Sequence, residues 1–406
     1  MKYKKYPSYK DSGVEWLGEI PCDWNLVKLK YLVSITTGNK DTENKEQDGK
    51  YPFFVRSKNV ERINSYSYDG EAILTAGDGD IGKIFHYING KFDYHQRVYM
   101  FYKFKNILVK FIYFYLQENL HKEVIKLSAK TTVDSLRLPM LQDFIISVPA
   151  VQEQQQIANF LDKATAKIDT LIKKQTKQIE LLKEKRQAVI SHAVTKGINP
   201  NVSMKDSGVE WLGVIPEHWE VKKLKFVLQL LNKKEKIINQ IVVALENIES
   251  WSGKYIESDS SYQGDDVAFC IGDILFGKLR PYLAKVFLCS FDGIAFGDLL
   301  AYRPIKDYAS KYAFYSLISE DFIKIVDSST YGTKMPRASS EFLSEMRLTV
   351  PPLKEQQEIA NYLDEKTSKI DILIEKSKKS IELLKEKRTS LISSAVTGKI
   401  DVREEV

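Results

Sequence analysis

Residues 10–18, Lys-Asp-Ser-Gly-Val-Glu-Trp-Leu-Gly, return unchanged at 205–213. This tandem duplication constrains the fold more than any local pattern, because each repeated segment must find an equivalent environment twice. The echo runs on through Ile20-Pro21 with Trp24, matched by Ile215-Pro216 with Trp219, and then through Lys-Leu-Lys at 28–30 and 223–225. A longer block, 148–198, aligns without gaps onto 350–400, identical at roughly 30 of about 50 positions. Both copies read E-Q-Q-x-I-A-N-[FY]-L-D, T-x-K-I-D-x-L-I, I-E-L-L-K-E-K-R and A-V-T. Between these blocks, residues 35–145 and 230–345 are similar in length but match poorly. A duplicated frame with diverged inserts is what a chain needs when one task is done twice on two different targets.

The second block predicts two long helices. Residues 152–195 contain no Gly or Pro, with Pro149 before and Gly197 and Pro200 after, the residues that open and stop helices. Ile157, Leu161, Ala164, Ile168, Leu171, Leu182 and Val189 trace a coiled-coil seam flanked by Ile172 and Ile179, and the second copy repeats it at Ile359, Leu363, Ile370, Leu373, Leu384 and Leu391. At 1.5 Å per residue each helix would reach roughly 60 Å, too long to be enclosed in one domain, so the pair is expected to bridge domains. The seam reads as interrupted by Gln175 and Gln178 in one helix and by Ser377 and Ser380 in the other. Paired antiparallel, these would be polar register-setting positions; the alternative is a splayed, solvated stretch.

Composition limits the function. Three scattered cysteines, Cys22, Cys270 and Cys289, suit neither a disulfide framework nor a zinc ribbon, so a reducing, cytoplasmic location is expected. The N-terminus lacks a signal-peptide core, and the most apolar run, 107–116, carries Lys110 and is about half the length of a membrane span. The net charge of +6 permits a polyanionic partner without requiring one.

Both inserts read as mixed α/β. Strands are expected at 53–55, 72–76, 83–88 and 97–102 with a helix at 107–126, then at 241–245, 274–279, 282–288 and 294–302 with a helix at 308–326. Two strings imitate phosphate loops. Gly77-Asp78-Gly79-Asp80-Ile81-Gly82 fits G-x-G-x-x-G but is followed by a strand pattern and carries two aspartates, so it reads as a hairpin turn. Residues 272–278 have G-x4-G-K spacing, yet Leu279 stands where a magnesium-binding hydroxyl is needed. No metal motif, adenine-positioning N-P-P-[YF] string or other catalytic signature is present, so no catalytic or metal residues are assigned.

The inserts instead gather basic, amide and aromatic residues at turns: Arg56, Lys58 and Asn59; Lys83; His95, Gln96 and Arg97; Lys130 and Thr131; Lys278, Arg280 and Tyr282; Thr333, Lys334 and Arg337. Arg reads guanine bidentately, Asn and Gln read adenine, and Lys and Thr hold phosphates, so these fifteen form the candidate DNA-binding set.

The paired W-L-G-x-I-P-x-x-W strings, the two V-P-x-x-x-E-Q-x-x-I-A-x-x-L-D openings at Val148 and Val350, and the duplicated L-K-E-K-R and A-V-T make the chain resemble the specificity subunits of type I restriction-modification systems over its whole length. The resemblance implies an α+β protein with two mixed α/β target-recognition domains, 1–150 and 206–350. They would be joined by a central conserved helix at 151–197 with a linker at 198–205, and by a distal conserved helix at 351–398. The helices would form an antiparallel coiled coil with pseudo-twofold symmetry. It also implies a non-catalytic subunit that binds a bipartite, asymmetric site in double-stranded DNA. Its expected partners are two modification (methyltransferase) subunits and restriction/translocase subunits, which would hold the S-adenosylmethionine, ATP and Mg; no cofactor is expected on this chain and no membrane is involved. On residues alone, a coiled-coil scaffold whose inserts bind protein remains the competing reading, separable by whether binding to DNA weakens steeply with salt.

Overall fold

A computed structural model describes residues 3–128, 135–237, 240–258, 260–332 and 334–405. Contacts group them into two compact units: residues 1–175 with 379–406, and residues 176–378.

In each unit the duplicated frame folds the same way. Tyr9–Asp11 pairs antiparallel with Glu19–Pro21, and Met204–Asp206 with Val214–Pro216, in the same register. The intervening string is shared because the turn demands it: the Asp11 carboxylate accepts from Gly13 N and the Ser12 N–H donates to Gly18 O, both glycines lying at φ 66°. Asp206, Gly208, Ser207 and Gly213 repeat these bonds. Trp24 and Trp219 follow and are completely buried. The next strands close each insert at its base. Asn25–Lys28 pairs with Ile145–Val148, and Glu220–Lys223 with Arg347–Val350, again in matching antiparallel ladders.

The inserts differ within that base. The first unit builds a six-stranded sheet in the order Ser34–Thr37, Val98–Tyr102, Tyr68–Ala76, Phe85–Tyr94, Tyr51–Phe54, Glu61–Ile63, with a parallel pairing between Tyr51–Phe54 and Phe85–Tyr94. The two-residue period sorts its core: Ile73, Phe85 and Phe101 meet Phe111, Ile112 and Tyr115 of helix Val109–Ser128, while Ala72, Leu74, Phe92 and Met100 pack on the opposite face. The second unit has two four-stranded sheets. One, in the order Leu228–Leu230, Leu299–Pro304, Ile274–Gly277, Val286–Leu288, packs Ile274 and Phe276 on Tyr312 and Phe322, while Leu275 faces the core of the other.

Three expectations in the second insert need correction. The strand expected at 294–302 is two strands, Gly293–Ala295 and Leu299–Pro304, parted by a turn with Gly297 at φ 74°. The segment expected as a strand from 282 begins as a 3-10 turn, Pro281–Leu283, and becomes a strand only at Val286–Leu288. The helix expected at 308–326 breaks at extended Ser319 into Ser310–Ile318 and Glu320–Ser328.

Helices Val151–Lys196 and Leu353–Val396 are 46 and 44 residues long, about 65–70 Å at the α-helical rise. Within each unit they run antiparallel. In the first, Ile157, Leu161 and Ile168 near the start of one pack with Leu391, Ile392 and Ala395 near the end of the other. In the second, Ile190, Ala193 and Val194 pack with Ile359 and Leu363. The seam differs from the expected one. Leu171 and Leu373 are 47% and 45% exposed, and the seam runs instead through Leu161, Thr165, Ile168, Ile172, Gln175, Ile179, Leu182 and Arg186, with unbroken four-three spacing. Gln175 and Ser377 belong to this seam, whereas Gln178 is exposed. The apparent interruption arises from placing Leu171 rather than Ile172 inside, since one residue turns a helix by about 100°. Thr165 and Thr367 sit in the seam at no polar penalty, because each hydroxyl donates to the carbonyl four residues back at 2.7 Å.

One repeated glutamine anchors each helix start. The Gln154 amide accepts from Leu108 N and donates to Asn106 O and Pro149 O; Gln356 accepts from Ala309 N and donates to Asp307 O and Pro351 O. Both are fully buried, which explains the shared E-Q-Q string. No helix among the described residues is long and apolar enough to cross a membrane.

Candidate nucleic-acid interface

In the first unit the candidate residues collect where strand Tyr68–Ala76 ends. Asp78, in the turn after it, accepts from Arg56 Nη1 at 3.0 Å and from Arg97 Nη1 at 2.9 Å. Burial would raise the Asp78 carboxyl, but the hydrogen bonds from Arg97 and Arg56 outweigh it and hold the group below its ordinary range. Gln96 donates its amide to Asp41 Oδ2, and its backbone N–H bonds to Lys40 O. Lys58 and Asn59 are exposed in the turn after Tyr51–Phe54, where His86 Nε2 meets Ser57 O at 2.9 Å. Lys83 is exposed, 3.6 Å from Asp80. The G-x-G-x-x-G string is the connection between strands Tyr68–Ala76 and Phe85–Tyr94, the hairpin turn expected of it.

His95 departs from the other candidates. It is only 2% exposed, and its Nδ1 accepts from Arg97 N at 2.9 Å, so it shapes the loop that carries Arg97 and presents no edge to a groove. Burial and the neighbouring Arg56 depress its basicity.

The second unit builds a counterpart at the end of strand Ile274–Gly277. Asp298 receives a bidentate pair from Arg337 at 3.2 and 3.1 Å, and Lys278 Nζ approaches it at 3.7 Å. The hydrogen bond to Asp298 raises the Arg337 pKa further. Arg280 takes the left-handed conformation, φ 50°, and donates its N–H to Pro336 O at 2.8 Å, which turns its side chain outward. Tyr282 is 45% exposed. Among the described residues the side chains of Lys58, Arg280 and Lys334 have no hydrogen-bond or ion-pair partner. Lys130, Thr131 and Thr333 lie outside the described residues.

The two clusters occupy the same backbone station. Gly77 N donates to Arg97 O at 2.8 Å and Gly77 O accepts from Leu136 N at 2.8 Å; Lys278 N donates to Asp298 O and Lys278 O accepts from Ala338 N, both at 2.9 Å. Bridges Asp78↔Ser135 and Leu279↔Arg337 extend the match. Arg97 of one unit therefore corresponds to Asp298 of the other, with the charge inverted. Sequence reasoning missed Asp78 and Asp298 because it sought cations and amides. Their signal is an aspartate beside glycine in a turn, which at Asp78 serves in the sequence only to argue against a phosphate loop. Among the described residues no group of three or more His, Cys, Asp or Glu is placed to hold a metal.

Comparison with known proteins agrees with this architecture. The family model described as the Type I restriction modification DNA specificity domain matches residues 21–181 and 216–383, one copy per half. The EcoDI specificity subunit of Escherichia coli is 29% identical over 412 residues, covering 94% of this chain and 90% of that protein. The MjaVIII specificity subunit of Methanocaldococcus jannaschii is 26% identical over 436 residues, covering 99% and 98%. A chain solved in a study of assembly and conformational transition in a type I R-M system superimposes with TM-score 0.69 at 12% identity, over 93% of this chain and 98% of that one. The HsdS subunit of Thermoanaerobacter tengcongensis gives 0.52 at 12% identity, over 94% and 98%. At such identities the shared property is the fold: two α/β domains joined by long, mutually packed helices. With the family model covering most of both halves, the chain belongs to the type I restriction-modification specificity subunits, the DNA-binding, non-catalytic members of those complexes.

Proposed function

We propose that the chain reads a bipartite, asymmetric site in double-stranded DNA, one half-site per unit. The observation that carries this reading is the inverted charge at one backbone station. Arg97, bonded to Asp78 through one nitrogen, keeps donors for guanine O6 and N7, whereas the second unit places at that station Asp298, whose carboxylate is taken by Arg337 and approached by Lys278, so its reading side chains are the cations around it. Chemistry so different on the same scaffold suits unlike half-sites. The reading residues are Arg56, Asn59, Gln96 and Arg97 in the first unit and Lys278, Arg280, Tyr282 and Arg337 in the second. Lys58, Lys83, Lys130, Thr131, Thr333 and Lys334 neutralise or hold phosphates, and His95 positions Arg97. The recognition domains span 1–150 and 206–350. The helices at 151–197 and 351–398 belong to the frame, with the linker at 198–205.

The chain works in the cytoplasm with two modification subunits, which supply S-adenosylmethionine-dependent adenine methylation, and with restriction/translocase subunits that use ATP and Mg. The test is to co-express it with its modification subunit in a methylation-free host and map methyladenine across the genome. A split motif with unlike halves is expected. A continuous motif, or no methylation at all, overturns the reading.

A further inference from the structure

The Lys-Leu-Lys strings at 28–30 and 223–225 have no part in the reading clusters, yet each anchors the same surface feature. Tyr31 is 66% exposed and Phe226, its counterpart, 59% exposed. Both are flanked by a lysine over the ring at 5.5 Å, Lys30 in one unit and Lys225 in the other. In each unit the two lysines share one carboxylate: Lys28 and Lys30 reach Asp143 at 2.9 and 3.1 Å, and Lys223 and Lys225 reach Glu345 at 2.6 and 2.5 Å. The shared carboxylate stands in each unit at the end of a short helix, Leu138–Gln142 with Asp143 as its cap and Ser340–Glu345.

A large aromatic left in water at equivalent positions of two units is not filler. The interiors of the inserts have diverged while this surface has not, so its constraint is external and common to both units. Its position separates it from base reading. In the first unit Ser34 pairs with Tyr102, at the end of strand Val98–Tyr102, whereas Arg97 precedes its beginning. In the second unit Leu228 pairs with Pro304, at the end of strand Leu299–Pro304, whereas Asp298 precedes its beginning. Each aromatic patch is thus a strand's length, about 15–20 Å, from its reading cluster.

We infer that the Tyr31 and Phe226 patches are two equivalent docking sites for one protein partner, the modification subunit, presenting an apolar slot rimmed by acidic side chains. This rests on the proposed assembly with two such subunits. An exposed aromatic between cations is the composition of an interface anchor. Two lysines around one carboxylate leave a net positive rim for acidic groups to meet. Duplex phosphate fits less well, because Asp143 or Glu345 would face it and the ring would have nothing to stack on.

The test is to co-purify the full chain with its modification subunit and count copies per chain by native mass spectrometry. Wild type should carry two. Tyr31→Ser or Lys30→Glu should lose one, Phe226→Ser or Lys225→Glu the other, and Tyr31→Ser with Phe226→Ser both, while Arg97→Ala retains two. Circular dichroism should not change, and the melting temperature of the Tyr31→Ser and Phe226→Ser variants should not move, since these two side chains are exposed. As a measurement independent of folding, a photo-crosslinking phenylalanine analogue in place of Tyr31 or Phe226 should capture the modification subunit. Single variants that keep two copies overturn the inference. So do variants that keep two copies but lose salt-dependent binding to random duplex, or crosslinks that form only to DNA, since the patch would then be a phosphate contact. If wild type binds no modification subunit, the assembly reading itself fails, and the inference with it.

Discussion

At Asp78 a carboxylate stands between two arginines of the proposed reading surface, and its removal should be felt at Arg97. The Arg97 side chain is 63% exposed and, among the described residues, its side-chain partner is Asp78. Arg97→Ala is expected to weaken specific binding by about 1–3 kcal/mol and relax one half-site only, measured by competition titration against substituted duplexes. Protons offer a second probe. His95, His86 and His121 all have basicity depressed below the usual 6.5, chiefly by burial. Their neutral forms belong to the folded state, so the stability they confer is complete above pH 6.5 and is lost as pH falls toward their lowered values. Unfolding midpoints should therefore decline from pH 7 to pH 5, and His95→Gln should flatten that slope. Carboxylates do not explain such a decline: Glu345, held down to about 2 by the hydrogen bonds from Lys223 and Lys225, loses its contribution only as pH falls from its ordinary 4.5 toward 2.

Equivalent positions on the long helices are not energetically equivalent. Arg186 is a seam residue 8% exposed at its side chain, bound to Asp371 at 3.0 Å and to the Trp251 carbonyl at 2.9 Å. Its counterpart Arg388 bonds Asp169 at 2.9 Å, but its side chain is 24% exposed and that of Asp169 53%. Arg186→Ala is expected to destabilise by about 1–3 kcal/mol, because Asp371, 20% exposed at its side chain, is left with Lys254 at 3.4 Å as its ion-pair partner among the described residues. Arg388→Ala should cost less, about 1 kcal/mol: water takes over the exposed Asp169 carboxylate, and what is lost at the largely buried Glu118 is a long contact of 3.9 Å. Thermal denaturation of the two variants side by side checks the ranking. Gly398 sets a different limit at the end of the distal helix: at φ 74°, an added Cβ would lie 2.4 Å from Pro21 Cδ, so Gly398→Ala should lower the melting temperature of the first unit.

Across the whole molecule, the matched ladders 25–28 with 145–148 and 220–223 with 347–350 bring the ends of each insert together. An insert is thus a closed excursion from the frame, which is how a six-stranded sheet and two four-stranded sheets can occupy equivalent places. Exchanging residues 35–145 for another insert should change one half-site in methyladenine mapping and leave the other intact; loss of both would show that the inserts are not independent.

What the sequence determined by itself was whatever repeats. The duplicated frame, the long helices with their bounding Pro and Gly, the turn built by Asp11-Ser12-Gly13 and the buried tryptophans depend on near neighbours and periodicity, and identity between the copies made them legible. The seam was legible to within one residue, an error that matters because it moves a side chain from core to water. The tertiary structure alone decided which turns converge. Arg56, Asp78 and Arg97 meet, as do Lys278, Asp298 and Arg337, through strand pairings between segments tens of residues apart, and no local pattern encodes such a pairing. It also decided that His95 lies inside and that Tyr31 and Phe226 lie outside, since burial depends on what the rest of the chain packs against each residue.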